Sequence, residues 1–101
     1  MTTFTPGLAH TPVTPFTTQG RIDYGLFGKL IGFHLDRGAE SLALPMHAGE
    51  SVSLSDGERR SLLEFAIGQA GGRVPVIAHV SQSGTAIAES LAAHAAQAGA
   101  A

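Results

Sequence analysis

Residues 41–51 read SLALPMHAGES, a short apolar run that stops at Pro45 and is followed by small and polar residues. The run 41–44 is too short for a helix and is bounded by Gly38 and Pro45, so it predicts a buried strand. A second run of this kind, residues 74–80, comes about thirty residues later. Helical patterns lie between the two runs. This spacing predicts β-α units with parallel strands and right-handed crossovers.

The first two helices have clear local signals. Asp23 is a predicted N-cap, and the helix that follows is expected to end before Gly38. Its apolar face is formed by Phe27, Leu30, Ile31 and His34, at the spacing i, i+3, i+4 and i+7. Ser55 and Glu58 have the spacing of a capping box, which predicts the start of a second helix that ends at Gly71.

The third helix and the first strand have weaker signals. Residues 82–85 precede an alanine-rich segment, and their hydroxyl groups predict an N-cap for a helix that closes at Gly99. Residues 9–16 are a candidate first strand that Pro12 and Pro15 weaken. Two architectures fit this order: a doubly wound open sheet, or part of a (β/α)8 barrel. Three β-α units are too few for either to be complete, because a barrel needs eight units and ~250 residues.

Composition narrows the class of protein. The 101 residues are 44% hydrophobic and 14% charged, which predicts a globular piece of one domain at most. The net charge is -2 and no basic stripe is present, so nucleic acid is an unexpected partner. The absence of cysteine excludes disulfides and thiolate sites. The sequence has no signal-peptide pattern and no apolar run of ~18 residues, so we expect a cytoplasmic protein without a membrane segment.

Several short motifs occur in a specific order along the chain. They are TPF at 14–16, Gly20, ID at 22–23, RGA at 37–39, GES at 49–51, LS at 54–55, ER at 58–59 and GRVPVIA at 72–78. This ordered set resembles the N-terminal third of the dihydrodipicolinate synthase and N-acetylneuraminate lyase family. The resemblance implies three β-α units of a (β/α)8 barrel, in which a lysine late in the barrel forms a Schiff base with pyruvate or another 2-keto acid. It further implies a carbon-carbon or carbon-oxygen lyase, usually tetrameric, that needs no cofactor.

The resemblance also implies that the bond-making groups lie outside these 101 residues. The Schiff-base lysine and the proton-relaying tyrosine of the family follow the third helix, so we expect the chain alone to be inactive. Lys29 is the one lysine present, and it falls in the first predicted helix. A solvated amine is protonated at neutral pH and is a poor nucleophile, so Lys29 is not expected to be catalytic.

The segment after the second strand differs from the family pattern, which is Gly-Thr-Thr-Gly-Glu or Gly-Ser-Thr-Gly-Glu. Aligned on Gly49 and Glu50, the chain has Met46, His47 and Ala48 in place of the glycine and the two hydroxyl residues. Ala48 has no hydroxyl, but backbone amides of Ala48 and Gly49 could hold the substrate carboxylate. His47 could replace the proton relay or contact a distal group of the substrate, or it could only cap the strand. We therefore expect a reaction other than the commonest one in the family.

Other candidates have weaker support. Glu50 is expected to bond to backbone amides of its own turn rather than to catalyse. His10, His47 and His79 follow or lie in three strands, but their spacing is no known ligand motif and we expect no metal site. Residues 82–85 could bind an anion at a helix N-terminus, but an N-cap is the simpler interpretation.

Two hypotheses follow from the sequence. In the first, the chain is the N-terminal part of a Schiff-base lyase, synthase or dehydratase that acts on a 2-keto acid. In the second, it is a non-catalytic α/β fragment whose open sheet must be covered by a partner chain or by self-association.

Overall fold

Strands and helices alternate along the chain in the computed structural model, which describes residues 7–46 and 48–101. The elements are β1 (Ala9–His10), α1 (Tyr24–Asp36), β2 (Ser41–Leu44), α2 (Asp56–Ala70), β3 (Val76–Ala78) and α3 (Thr85–Ala98), with a 3₁₀ turn at Ser51–Ser53. The strands of the described chain form one sheet in the order β1-β2-β3, and both pairings are parallel. The predicted succession of β-α units is confirmed.

The strands differ from their predicted lengths at the ends of the sheet. The central strand β2 has the predicted bounds, and all of its residues are buried. β1 covers only the start of the predicted run 9–16, because Pro12 lacks the amide that a ladder needs. Beyond it, Phe16 forms an isolated antiparallel bridge with Ile22. β3 is likewise shorter than the predicted run 74–80, since its pairing partner β2 ends at Leu44.

The core lies between the sheet and the first two helices. Its large side chains are at most 1% exposed and come from β2, α1 and α2: Leu42, Leu44, Phe27, Ile31 and Leu62. Full burial of such a side chain contributes about 1.5–3 kcal/mol. α2 contacts both of its neighbours, α1 and α3, so it is the central helix of the outer layer.

Local signals set the start of α1 and both ends of α2. The Asp23 carboxylate accepts the amide of Leu26 at 3.0 Å. In the capping box, the Ser55 amide donates to Glu58 at 2.8 Å, and the Glu58 amide donates to the Ser55 hydroxyl at 3.1 Å. α2 ends at Gly71 in the left-handed conformation, with φ 57°. These predicted helix ends are confirmed.

The predicted N-cap of α3 is wrong. Gly84 occupies the cap position, so no side chain caps this helix. The reason is the position of the first helical bond, which the Ala88 amide donates to the carbonyl of Gly84 at 3.0 Å. Ser83 therefore lies one residue too early, and its hydroxyl bonds to Gln82 instead.

The helices of residues 7–46 and 48–101 are all shorter or more polar than a membrane-crossing helix has to be.

Candidate functional site

Residues 45–46 and 48–50, here called the mouth turn, lie between the carboxyl end of β2 and the 3₁₀ turn. The carbonyl of Met46 accepts the amide of Gly49 at 3.0 Å and the amide of Ser51 at 3.2 Å. The Ser53 amide then donates to the carbonyl of Glu50 at 2.9 Å. Backbone hydrogen bonds to the carbonyl of Met46 therefore hold the mouth turn together. The 3₁₀ turn follows directly after it.

A buried hydrogen bond fixes the mouth turn to the segment after β1. The hydroxyl of Thr14 donates to the carbonyl of Gly49 at 2.7 Å. Gly49 is packed so closely that an added Cβ would lie 3.0 Å from the Pro12 carbonyl and 3.1 Å from the Thr14 hydroxyl. In the sequence, Thr14 stands out only as part of the TPF motif. Its role was missed because the partner is a backbone group 35 positions away.

The predicted substrate-binding residues of the mouth turn differ in what they can offer. His47 lies outside the described residues, so its predicted role stays a prediction. Ala48 is exposed and Gly49 is buried. The Gly49 amide already donates to Met46, so of the two amides expected to hold a carboxylate, this one is engaged in the turn itself.

Glu50 adopts the left-handed conformation, with φ 57°, and is exposed. Its carboxylate makes no capping bond to the 3₁₀ turn that follows. The amides of Gly49 and Ser51 donate to the carbonyl of Met46 and not to this carboxylate, so the predicted bonding of Glu50 within its turn stays a prediction.

Arg59 is the charged residue that the sequence analysis missed. It lies on the buried face of α2 and is 4% exposed. Its guanidinium donates to the carbonyl of Ser81 at 2.8 Å and to the carbonyl of His79 at 2.6 Å. Burial lowers the pKa of Arg59, and the nearby carboxylate of Asp56 opposes that shift. A sequence signal was available, since Arg59 shares a helical face with the buried Leu62 and Ala66.

A groove of 510 Å³ opens beside Arg59, between the 3₁₀ turn and the segment after β3. Three of its lining residues each have a buried polar side-chain atom without a hydrogen-bond partner among the described residues: Ser51 Oγ, Arg59 Nε and His79 Nδ1. Unsatisfied buried groups are costly and rare in folded proteins, and three of them belong to residues that line this groove.

Of the three histidines that the metal hypothesis needs, His47 lies outside the described residues and His10 contacts α1. The Nδ1 atoms of His10 and His34 lie 2.9 Å apart, so His10 is directed to α1 rather than to the mouth turn. Burial, and then the neighbouring His10, lower the pKa of His34. Within the residues that the structure describes, no group of three or more histidines and carboxylates could hold a metal ion. Lys29 is exposed on α1, as predicted.

The chain is similar to known proteins over nearly all of its length. Residues 5–101 match the model of the dihydrodipicolinate synthetase family. The chain is 41% identical over 88 residues to a 4-hydroxy-tetrahydrodipicolinate synthase of Pseudomonas putida, covering 87% of this chain and 30% of that relative.

Solved structures share the fold. Dihydrodipicolinate synthase from Aquifex aeolicus superimposes with a TM-score of 0.89 at 38% identity, covering 93% of this chain and 32% of that one. The Escherichia coli protein YagE, solved in complex with pyruvate, gives a TM-score of 0.90 at 31% identity over the same share of each chain. These neighbours are (β/α)8 barrels, which decides between the two architectures that the sequence left open.

The chain spans about 30% of the length of the curated relatives that it matches. The family match includes nearly every residue, and the strands are parallel with helices between them. The chain therefore belongs to the dihydrodipicolinate synthetase family.

Proposed function

We propose that this chain forms the β-α units from β1 to α3 of a pyruvate-dependent Schiff-base lyase or synthase. Membership of the family supports this, and the E. coli relative was solved with pyruvate bound. The observation that carries the proposal is the position of the mouth turn at the carboxyl end of β2, since the carboxyl ends of barrel strands hold the reacting groups. Its attachment to Thr14 gives the turn a fixed place there.

The residues of the mouth turn have distinct roles in this proposal. Because the Gly49 amide is engaged, the substrate carboxylate is held through Ala48 and through groups elsewhere in the barrel. Gly49 instead holds the turn against Thr14. His47 relays a proton or contacts a distal group of the substrate, since an imidazole titrates near neutral pH and both donates and accepts.

The chemistry of the mouth turn also sets limits on the reaction. Neither His47 nor Ala48 supplies the hydroxyl that the family pattern has at its position. A reaction that depends on two hydroxyl groups there is therefore disfavoured, and the substrate beyond its 2-keto acid part differs from that of a typical dihydrodipicolinate synthase. The Schiff-base lysine lies outside residues 1–101, so we expect this stretch alone to be inactive. A cytoplasmic location and a tetramer stay predictions.

The test is to trap the Schiff base in the product of the complete reading frame. Borohydride added with pyruvate reduces the imine, and peptide mass spectrometry then finds the modified lysine. We expect one reduced adduct per chain, on a lysine outside residues 1–101, and the same yield in a Lys29→Met variant. An adduct on Lys29, or no adduct at all, would contradict the proposal.

Exposed apolar residues of α1 support the alternative function, a module that binds another chain. Large apolar side chains on α1 are exposed, with Leu26 at 45% and Phe33 at 51%. A non-catalytic module that binds a partner chain, or a second copy of itself, would cover such a face.

A further inference from the structure

Arg59 is buried where packing alone does not call for a cation. Its side chain lies between α2 and the segment after β3, and the residue is 4% exposed. Removing a guanidinium from water is unfavourable, and a well-packed apolar side chain of the same length often stabilises such a site at least as well. Burial also lowers the pKa of Arg59, because the charged form loses its hydration. What a methionine could not supply there is the pair of hydrogen bonds that Arg59 donates.

The two hydrogen bonds of Arg59 define that role. One guanidinium nitrogen donates to the carbonyl of His79 and the other to the carbonyl of Ser81. A guanidinium is planar and rigid, so two acceptors that it holds together are kept at a fixed separation. The amide of His79 in turn donates to the carbonyl of Leu44 at 3.0 Å, at the end of β2. The backbone of His79 is thus fixed from both sides.

Arg59 connects the two segments that border the reacting end of the sheet. α2 begins directly after the mouth turn and the 3₁₀ turn, and Arg59 lies one turn inside it. The carbonyls that it binds belong to the segment that follows β3, the next strand of the sheet. Carboxyl ends of adjacent parallel strands lie side by side, so a shift of one segment against the other would change the shape of the site.

We propose that Arg59 is a positioning residue: its guanidinium holds residues 79–81 against α2 and so sets their place relative to the mouth turn. This inference rests on the proposed function, because it assigns Arg59 an effect on the same reaction. Arg59 acts through the backbone of residues 79–81 and does not touch the substrate in this role.

The test compares Arg59→Met, Arg59→Lys and the control Arg60→Met in the product of the complete reading frame. Arg60 is the adjacent arginine of α2, and it bonds to the Ser90 hydroxyl on α3 at 2.8 Å. The assay is the exchange of pyruvate methyl hydrogens for deuterium in heavy water, followed by proton NMR at several pyruvate concentrations. This exchange needs no knowledge of the second substrate.

We expect Arg59→Met to lower kcat/KM by about 10- to 100-fold, mainly through kcat, because small misplacements of a site have effects of that size. Its Tm is expected to stay within a few degrees of the wild-type value. Arg59→Lys is expected to fall between Arg59→Met and wild type, since an ammonium lacks the rigid fork. Arg60→Met is expected to stay within about twofold of wild type, because its exposed bond to the Ser90 hydroxyl involves no backbone group of residues 79–81.

Amide hydrogen exchange tests whether Arg59 holds the segment after β3, while the separate effects on kcat and KM test whether that hold matters for the reaction. In Arg59→Met, the amides of residues 79–83 should exchange faster while those of α1 stay unchanged. Unchanged exchange at 79–83, wild-type kcat/KM in Arg59→Met, or an equal loss in Arg60→Met would overturn the proposal. If Arg59→Met does not fold, a folded Arg59→Lys variant with wild-type kcat/KM would overturn it as well. A wild-type protein that exchanges no pyruvate hydrogens refutes the proposed function, and amide exchange then decides the role of Arg59 alone.

Discussion

A Cβ added at Gly49 would lie 3.0 Å from the Pro12 carbonyl and 3.1 Å from the Thr14 hydroxyl, so a side chain there would push these neighbours back. We expect Gly49→Ala to destabilise the protein by about 1–3 kcal/mol, the usual cost of overpacking, because one of the two neighbours is rigid backbone. The matched control is Gly68→Ala, on the exposed side of α2, where an added Cβ meets nothing within 4 Å. That change should stabilise by about 0.5–1 kcal/mol.

Urea denaturation of both glycine variants measures the difference. A Gly49→Ala protein as stable as wild type would mean that the segment containing Pro12 and Thr14 moves aside without cost, and the mouth turn would then not be fixed by this contact.

Residues whose partners are distant along the chain could not be predicted from the sequence. The location of Lys29 on the exposed side of α1 follows from local pattern, and it is as predicted. Thr14 and Arg59 were missed because each bonds to backbone carbonyls that are distant along the chain. A carbonyl is present at every position, so no residue type in the sequence marks such a partner.

At the scale of elements, the His10–His34 contact joins β1 to α1 and depends on pH. Two Nδ1 atoms 2.9 Å apart share one hydrogen, so the contact requires at least one neutral ring. The pKa of His34 is lowered from 6.5 in the folded state, first by burial and then by His10. The unfolded chain therefore binds the proton more readily, and stability is lost as pH falls from about 6.5 through the lower folded pKa.

We expect wild-type protein to unfold at lower urea concentration at pH about 5 than at pH about 7.5, and His34→Gln to show a weaker dependence over this range. The glutamine keeps a polar side chain but cannot titrate. If the variant keeps the full wild-type dependence, the effect comes from other groups and the contact is not responsible.

Helix ends were more predictable than strand ends. Asp23, and Ser55 with Glu58, cap their helices through residues three positions apart, and this information is local. A strand ends where its partner stops pairing, so the bounds of β3 depend on β2, about thirty residues away. The predicted hydroxyl cap of α3 failed by a single residue, because Gly84 supplies the first helical carbonyl.

At the scale of the whole molecule, the spacing of two apolar runs was enough to predict the parallel sheet. The resemblance added the barrel, which the family match and the solved structures confirm. Neither source could predict the groove at Arg59, since the packing of α2 against the segment after β3 brings its lining together only in three dimensions.

The exposed apolar residues of α1 lead to a prediction about residues 1–101 in isolation. We expect this stretch to self-associate as its concentration rises, because Leu26 and Phe33 are about half exposed on one helix. Sedimentation velocity should show weaker association for Phe33→Glu than for the control Gln97→Glu, which adds the same charge at an exposed position of α3. A wild-type monomer at every concentration that unfolds cooperatively would contradict this prediction and weaken the alternative function.

The register of the sheet has a kinetic consequence. Leu42 pairs with His10 on one side and with Val76 on the other, and each partner is about thirty residues away along the chain. Neither strand pairing forms a hydrogen bond until a loop of about thirty residues, which contains a helix, has closed. The chain therefore loses the entropy of loop closure before any pairing bond stabilises it. Contacts between residues so far apart in the sequence slow folding. Both strand pairings depend on the four residues of β2. β2 is therefore the segment through which a substitution would retard the assembly of the whole sheet, whatever its effect on the finished fold.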